Sequence, residues 1–462
     1  MFSKDKRSLI LAGGGVRLAY HAGVLIALEE AGISFNHVDG TSGGIFGTAM
    51  LASGITPKET AVRWRKLNLK GFMSAMPLKD YLSQHTLSAL GSANGIRKRI
   101  FPALGINAKK INENTAFDAT FNVCNFSKKT IECIDGKAVN EDYLIAGMSL
   151  PIFMPAIQIN NNWYTDAVWI KDANLTEAVN RGAEEIWLVW CIGNTSEYLN
   201  GSFNQYVHMI EISANGGLFA EIEWLRQVNT SNIQNGLQPV TLRIIKPEYA
   251  LPLDPDFLFN KINADTLINM GYADTRRYLA TDEIFDTDKT VDQSSGMKTA
   301  AASLHFRQQF RGKIVIEGQK CAVTINLSFF IREINKEYVY QQYASISIDQ
   351  GDLISGFENT LTISRAATIN SEFKFNYHSV NYTVCIKMQL NSIVDLVLGL
   401  DNKTAMVNIG SDETQGKEAL FIQPAINRIK NAFYLNVNAD TGWYGKIKIK
   451  HKLLSNLFNQ KK

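Results

Sequence analysis

Two glycine-rich turns lie 27 residues apart near the start of the chain, and they hold its best candidates for chemistry. The second, Gly40-Thr41-Ser42-Gly43-Gly44, is a GxSxG pentapeptide between a short candidate strand and a helix-like run. A sharp turn of this kind presents a serine hydroxyl at a helix N-terminus, and its glycines are needed where strand and helix cross too closely for a side chain. Ser42 is therefore a candidate nucleophile. The first turn, Gly13-Gly14-Gly15-Val16-Arg17, also joins a strand-like to a helix-like segment. Successive glycine N–H groups there can converge on one small anionic volume, aided by the helix N-terminus. A dinucleotide fingerprint needs glycine where Leu18 stands, and no Lys-Ser/Thr follows as a nucleotide P-loop requires. The remaining use is an oxyanion hole formed by Gly13, Gly14 and Gly15, with the N–H of Gly43 after the serine.

A serine nucleophile needs a base. Of the seven histidines, His208 would complete a Ser42–Asp166–His208 order of the α/β-hydrolase type, although only one clear strand precedes the serine turn where that fold has several. His21 and His37 read more simply as packing and loop residues.

The motifs resemble those of the patatin-like phospholipases. Besides the two turns, Trp163-Tyr164-Thr165-Asp166-Ala167-Val168 is similar to that family's Asp-Gly motif, with Gly182-Ala183 sixteen residues beyond the aspartate. Ala146 to Pro155 is similar to the family's approach to it, and Leu267 to Ala273 to its closing helix, so the resemblance spans roughly residues 6–282. It implies a three-layer α/β/α domain and a Ser–Asp dyad of Ser42 and Asp166 without histidine. It also implies lipid acyl hydrolysis of phospholipase A or lysophospholipase type through an acyl-enzyme, with phospholipid or another lipid ester as substrate. Arg17 would steady the glycine loop or an anionic headgroup. The pattern departs at Ala167, which replaces the usual glycine and would be strained if φ there were positive. Asp172 is a rival acid, at a spacing six residues too short to Gly182. The alternative is a catalytically inactive scaffold of the same fold, whose C-terminal domain binds a protein or membrane partner.

The elements around these motifs alternate strand and helix over about the first 285 residues: Ser8–Ala12, then Leu18–Glu30, Asn36–Asp39, then Gly44–Ala52, and Leu175–Arg181 before Glu185–Trp190. That alternation predicts a mostly parallel sheet covered on both faces. Beyond it, short β-branched runs (322–327, 343–348, 360–363, 382–388 and 394–398) predict an all-β sandwich or barrel. The expected organisation is a hydrolase domain at 1–285, a polar linker at 286–301 and an all-β accessory domain at 302–462, its protein partner unspecified.

With 462 residues, 45% hydrophobic and 20% charged, the chain has the composition of a globular protein of two or three domains. Its net charge of +3 argues against general nucleic-acid binding. The charge is uneven: residues 301–462 carry 19 Lys/Arg against 13 Asp/Glu, leaving 28 against 31 in residues 1–300. Five scattered cysteines without a CxxC predict free thiols, and no metal or cofactor motif is present. The apolar run Ser8–Ala12 is too short for a signal peptide, and no run is long enough for a membrane span, so a cytoplasmic protein, peripheral at membranes, is expected. Phe46, Phe72, Met73, Met76, Leu78 and Tyr81 are candidates for an acyl groove or for plain core. Arg97-Lys98-Arg99, Lys109-Lys110 and the alternating Lys446, Lys448, Lys450 and Lys452 are candidate contacts for anionic headgroups.

Overall fold

A computed structural model describes residues 6–67, 92–193, 198, 200–251, 263–281, 284, 296–298, 300, 302–363, 368–389, 404–411, 414–422 and 436–438. The chain divides into two compact units: 1–258 with 278–298, and 259–277 with 299–462. The expected linker, the groove residues Phe72 to Tyr81, the run 394–398 and the lysine tail fall almost wholly outside the described residues.

The first unit is built on β1 (Arg7–Leu11), β2 (His37–Thr41), β3 (Asp118–Asn125), β4 (Thr130–Asp135), β5 (Ile157–Ile159), β6 (Asn162–Asp166), β7 (Glu185–Val189) and β8 (Thr241–Ile245). They form one sheet in the order β5-β6-β3-β2-β1-β7-β8, with β4 also paired to β3. Strands β3, β2, β1, β7 and β8 run parallel, and β4, β5 and β6 form an antiparallel margin. The helices are α1 (Ala19–Glu30), α2 (Gly44–Ala52), α3 (Pro57–Lys66), α4 (Phe101–Leu104), α5 (Ala108–Asn112), α6 (Glu141–Ala146), α7 (Leu175–Asn180) and the long α8 (Ser202–Gln234).

Both faces of β1 are apolar because both are covered. Ile10 and Ala12, with Ile186, Leu188, Leu242 and Ile244, pack on Leu175 and Ala178 of α7 and on Ala214, Leu218, Ile222 and Leu225 of α8. Leu11 points to the opposite face, where its Cδ1 sits 2.7 Å from the point at which Gly47 of α2 would carry a Cβ. The three-layer expectation is thus met. Two pieces differ in detail: the helix expected from Leu18 begins as a 3-10 turn over Gly15–Leu18, and β2 runs two residues further, to Thr41.

The second unit is a single ten-stranded antiparallel sheet rather than two packed sheets. Its strands are β9 (Ala302–Ile316), β10 (Gln319–Ile334), β11 (Glu337–Ile348), β12 (Ile354–Ser355), β13 (Phe357–Ile363), β14 (Thr368–Tyr377), β15 (Val380–Gln389), β16 (Thr404–Ser411), β17 (Thr414–Ile422) and β18 (Asn436–Asn438). The order β12-β11-β10-β9-β17-β16-β15-β14-β13 curls until its ends meet. Gln342 of β11 donates to the carbonyls of Thr360 in β13 and Glu372 in β14, and Gly356 N–H donates to the Ala344 carbonyl. Near-closure removes most of the exposed edge that an open sheet would leave. The interior is aromatic and aliphatic: Phe310, Phe329, Phe373, Phe375 and Phe421 are all fully buried.

The helix α9 (Ala264–Thr281) is counted with this barrel as far as Arg277. Its polar residues bind the strands: Thr266 Oγ1 meets Ser328 Oγ, Ser345 donates to Asp265, and Ser355 donates to Asn269. Tyr272 and Arg276 both rest on the Phe357 ring. The five cysteines form no disulfide, and no helix among the described residues is long and apolar enough to cross a membrane.

Candidate active site

The parallel strands deliver both glycine turns to their carboxyl ends. Strand β1 ends at Leu11 and leads into Gly13–Gly15, while β2 ends at Thr41 and leads into Ser42 and α2. In open α/β sheets, loops at the carboxyl ends of the strands form the ligand crevice.

Ser42 has φ +52, the left-handed conformation that a side chain adopts only when its surroundings enforce it. The enforcement comes from its glycines. A Cβ on Gly44 would stand 1.8 Å from the Leu11 carbonyl oxygen, and one on Gly40 would stand 2.7 Å from Thr48 Oγ1 and 2.9 Å from the Gly44 carbonyl. Strand β1, strand β2 and helix α2 therefore pass at backbone distance, and the hydroxyl is held above the crossing. A Cβ on Gly43 would strike the Gly15 carbonyl at 2.9 Å and the Leu18 side chain. Gly43 thereby brings the two turns against each other.

Asp166 ends β6, whose pairing with β3 sets Asp166 opposite Val123. Its N–H donates to the Ser149 carbonyl, which also accepts from the Thr165 hydroxyl, so the Ala146–Pro155 segment fixes the backbone that carries the carboxyl. Ser42 Oγ donates to Asp166 Oδ2 at 2.7 Å, and Val168 N–H donates to Oδ1 at 2.9 Å. Asp166 is fully buried and Ser42 is 5% exposed. Burial pushes the Asp166 carboxyl up from 3.8 to about 7, while the hydrogen bonds from Ser42 and Val168 pull the other way. Ala167 opens a 3-10 turn and is not among the residues with positive φ, so alanine replaces the usual glycine there without strain.

Arg17 is buried, and its Nε donates to the Gly14 carbonyl at 2.8 Å, closing the glycine turn from within. Gly14 and Gly15 stand beside it. Gly13 differs from the expectation for it: its N–H donates to Asp172 Oδ2 at 2.9 Å and is not an open donor. A bare Cα is still required there, because a Cβ would fall 2.4 Å from Asp172 Oδ1 and 2.9 Å from the Ser42 Cβ.

The histidine-dependent arrangement is not what the structure holds. His208 pairs with Glu211 and stacks on Tyr198. His37 bonds Ser8 and Thr120, and His21 is buried with neither ring nitrogen hydrogen-bonded among the described residues, so burial keeps it neutral with a pKa lowered to about 3. Of the other candidates, Phe46 packs edge-on against Trp64 and Phe101 in the core. Arg97 is paired with Glu141 and Asp142, and Lys109 with Glu113. Among the described residues, no group of three or more His, Cys, Asp or Glu is placed to hold a metal ion.

A polar seam under the turns carries no motif in the sequence. Asp39 of β2, fully buried, accepts from Thr120 Oγ1 and Asn122 Nδ2 of β3, each at 2.6 Å. Asn122 also donates to Thr41 beside Ser42 and accepts from Asn174, the N-cap of α7. Burial raises Asp39 to about 7. The one trace in sequence is the alternation of Thr120 and Asn122 with the apolar Ala119, Phe121 and Val123 of β3.

Two curated relatives share 28% identity with this chain over 39% of its length: Lysophospholipase NTE1 of Coccidioides immitis and Lysophospholipase nte1 of Neurospora crassa. The matched region spans only 11–12% of those relatives. A solved structure, VipD from Legionella pneumophila, aligns with a TM-score of 0.32 and 11% identity, over 62% of this chain and 69% of that one. Residues 9–179, which hold both glycine turns, Ser42, Asp166 and Asp172, match the model of the patatin-like phospholipase family.

Proposed function

We propose that this protein is a serine hydrolase of lipid carboxylic esters, with Ser42 as nucleophile and Asp166 as its general base. The observation that carries this reading is the buried 2.7 Å hydrogen bond from Ser42 Oγ to Asp166 Oδ2, at the head of an elbow whose glycines cannot be replaced. In acylation, Asp166 takes the hydroxyl proton as Ser42 Oγ forms a bond to the ester carbonyl carbon. The negative oxygen of the tetrahedral intermediate is stabilised by the N–H groups of Gly14, Gly15 and Gly43. Its collapse breaks the bond to the alcohol, which leaves with the proton from Asp166. A water then gives its proton to Asp166 and attacks the acyl carbon, and the returning proton restores Ser42. Burial suits Asp166 to this shuttle, because a carboxyl near 7 both accepts and releases a proton at neutral pH. Arg17 holds the loop through the Gly14 carbonyl.

The lipid part of the reading is supported by the family match and by the similarity to two fungal lysophospholipases. Contact with a lipid surface is supported by Ile152, more than half exposed with φ +76, on the same segment whose Ser149 fixes Asp166. A β-branched residue in that conformation is an outlier that the surrounding fold must impose. The test is fatty-acid release from phosphatidylcholine and lysophosphatidylcholine vesicles. Release by the wild type that Ser42→Ala abolishes is the expected result, and release that persists in Ser42→Ala overturns the assignment.

A further inference from the structure

The mechanism above leaves one buried carboxyl of the site unused. Asp172 lies six residues beyond Asp166, is completely buried, and binds the glycine turn by accepting the Gly13 N–H on Oδ2. Its Oδ1 is also buried and has no hydrogen-bond partner among the described residues. That orphan oxygen and the Ser42 Cβ flank the same bare Cα, at 2.4 and 2.9 Å from where Gly13 would carry a Cβ. Two ionisable groups act on it: Asp166 at the end of β6, and Arg17 from the 3-10 turn, whose Nε is engaged with the Gly14 carbonyl. A carboxylate at this place would bury an unpaired anionic oxygen beside a second carboxyl, which is among the costliest arrangements a protein interior can hold. A carboxylic acid would instead carry an O–H that lacks an acceptor only until a substrate arrives.

We infer that Asp172 works as a neutral carboxylic acid, its Oδ2 fixing the Gly13 N–H and its Oδ1 hydroxyl donating to the ester oxygen that becomes the oxyanion at Ser42. The inference rests on the hydrolase reading and adds a donor to it: the contribution that Gly13 cannot make, its N–H being already bound, comes from the side chain that binds it. No proton is transferred in this step, since Asp172 only shares its hydrogen while charge develops on the oxyanion. Burial, and then the charge of Asp166, hold the carboxyl well above its ordinary value, against the weaker pull of the Gly13 N–H and Arg17. Ionisation at alkaline pH would remove the donor and set a negative charge against the oxyanion, so activity must fall there.

The test compares Asp172→Asn and Asp172→Ala in the full-length chain. The infrared difference spectrum of wild type minus Asp172→Asn at pH 7 should show the carbonyl band of a protonated carboxylic acid. Asp172→Ala should lose about 10²-fold in kcat with little change in KM, the typical loss for one oxyanion donor. Asp172→Asn, which keeps an acceptor for Gly13 and a donor for the oxyanion, should recover at least tenfold of that loss and lack the alkaline fall. Absence of the acid band, an Asp172→Asn no better than Asp172→Ala, or a folded Asp172→Ala with undiminished kcat would each overturn the proposal. Should Asp172→Ala fail to fold, the infrared band and the pH profile of Asp172→Asn decide alone. The band reports the protonation state whether or not an ester is hydrolysed, so failure of the hydrolase reading is distinguishable from failure of this one.

Discussion

Asp166→Asn should lower kcat on a lipid ester by about 10⁴-fold, the order of loss seen when the partner of a catalytic nucleophile is neutralised. Asparagine can still accept a hydrogen bond from Ser42, so the elbow should keep its shape, but it cannot take a proton. The pH dependence follows from the same carboxyl. Asp166 must be ionised to act as a base, so wild-type kcat should be half-maximal near pH 7 and fall about tenfold per unit below it. Stability runs the opposite way. A buried carboxyl raised from 3.8 to about 7 contributes stability that is complete below 3.8 and lost as the pH rises through 7. Asp166→Asn removes that loss, and the variant should melt at a higher temperature than wild type at pH 8 while being far less active. Steady-state kinetics and thermal melts from pH 5 to 9 measure both; a variant less stable than wild type at pH 8 would count against a buried, strained base.

Gly44→Ala should be the most damaging single methyl group in the first unit. Its Cβ would stand 1.8 Å from the Leu11 carbonyl oxygen, 2.6 Å from its carbon and 3.0 Å from the Ala12 carbonyl oxygen. All three are backbone atoms of β1 and the turn after it, and β1 is paired on both sides, with β2 and with β7. Nothing flexible can yield, so helix α2 must withdraw from the sheet or the centre of the sheet must bend. Overpacking of a tight core costs about 1–3 kcal/mol and more where backbone must shift, and the upper end applies here. Denaturant unfolding should show that loss, together with the disappearance of esterase activity. Gly32→Ala is the control: apart from its chain neighbours, no atom of the described residues lies within 4 Å of its added methyl, so its cost is confined to the positive φ of +71.

Gly44 also shows why this site could be read so far from sequence. A nucleophile elbow is a local constraint, and glycine at 40, 43 and 44 records the close approaches of one strand and one helix within a few residues. The apolar runs of β1 and β7, each adjoining a helix-like segment, likewise point to a sheet covered on both faces. Asp166 was not legible in that way. Its position depends on β6 pairing with β3, more than a hundred residues after Ser42, and in sequence only a family resemblance and the chain order of a hydrolase triad single it out. The seam from Asp39 through Thr120 and Asn122 to Asn174 depends on the registers of β2 with β3 and on where α7 begins, and none of those contacts leaves a spacing signal. In sequence Asp172 stands out only as a competitor for the role of base. Its actual contact, the Gly13 N–H, takes one of the donors that the three consecutive glycines had suggested was free.

The second unit shows the same boundary. Its β-branched runs announce an all-β region, but a sandwich and a barrel differ only in which distant strands meet. Contacts that close this sheet are made by Gln342 with Thr360 and Glu372 and by Gly356 with Ala344, none of which stands out in the sequence. The helix Ala264–Thr281 is bound by Ser328, Ser345 and Ser355 of the barrel. Hydroxyl and amide pairs of that kind are set by the barrel's own strand registers, which lie far along the chain.

The most direct test of the dyad is labelling of the native protein by a fluorophosphonate, with the modified peptide identified by mass spectrometry. The reagent reacts with a serine whose proton is being removed and whose oxyanion donors are in place. Adduct on the peptide containing Ser42, absent from Ser42→Ala and slowed at least a hundredfold in Asp166→Asn, is the result that a Ser42–Asp166 dyad predicts. Folded protein that remains unlabelled with lipid vesicles present, or that labels equally fast without Asp166, would contradict it.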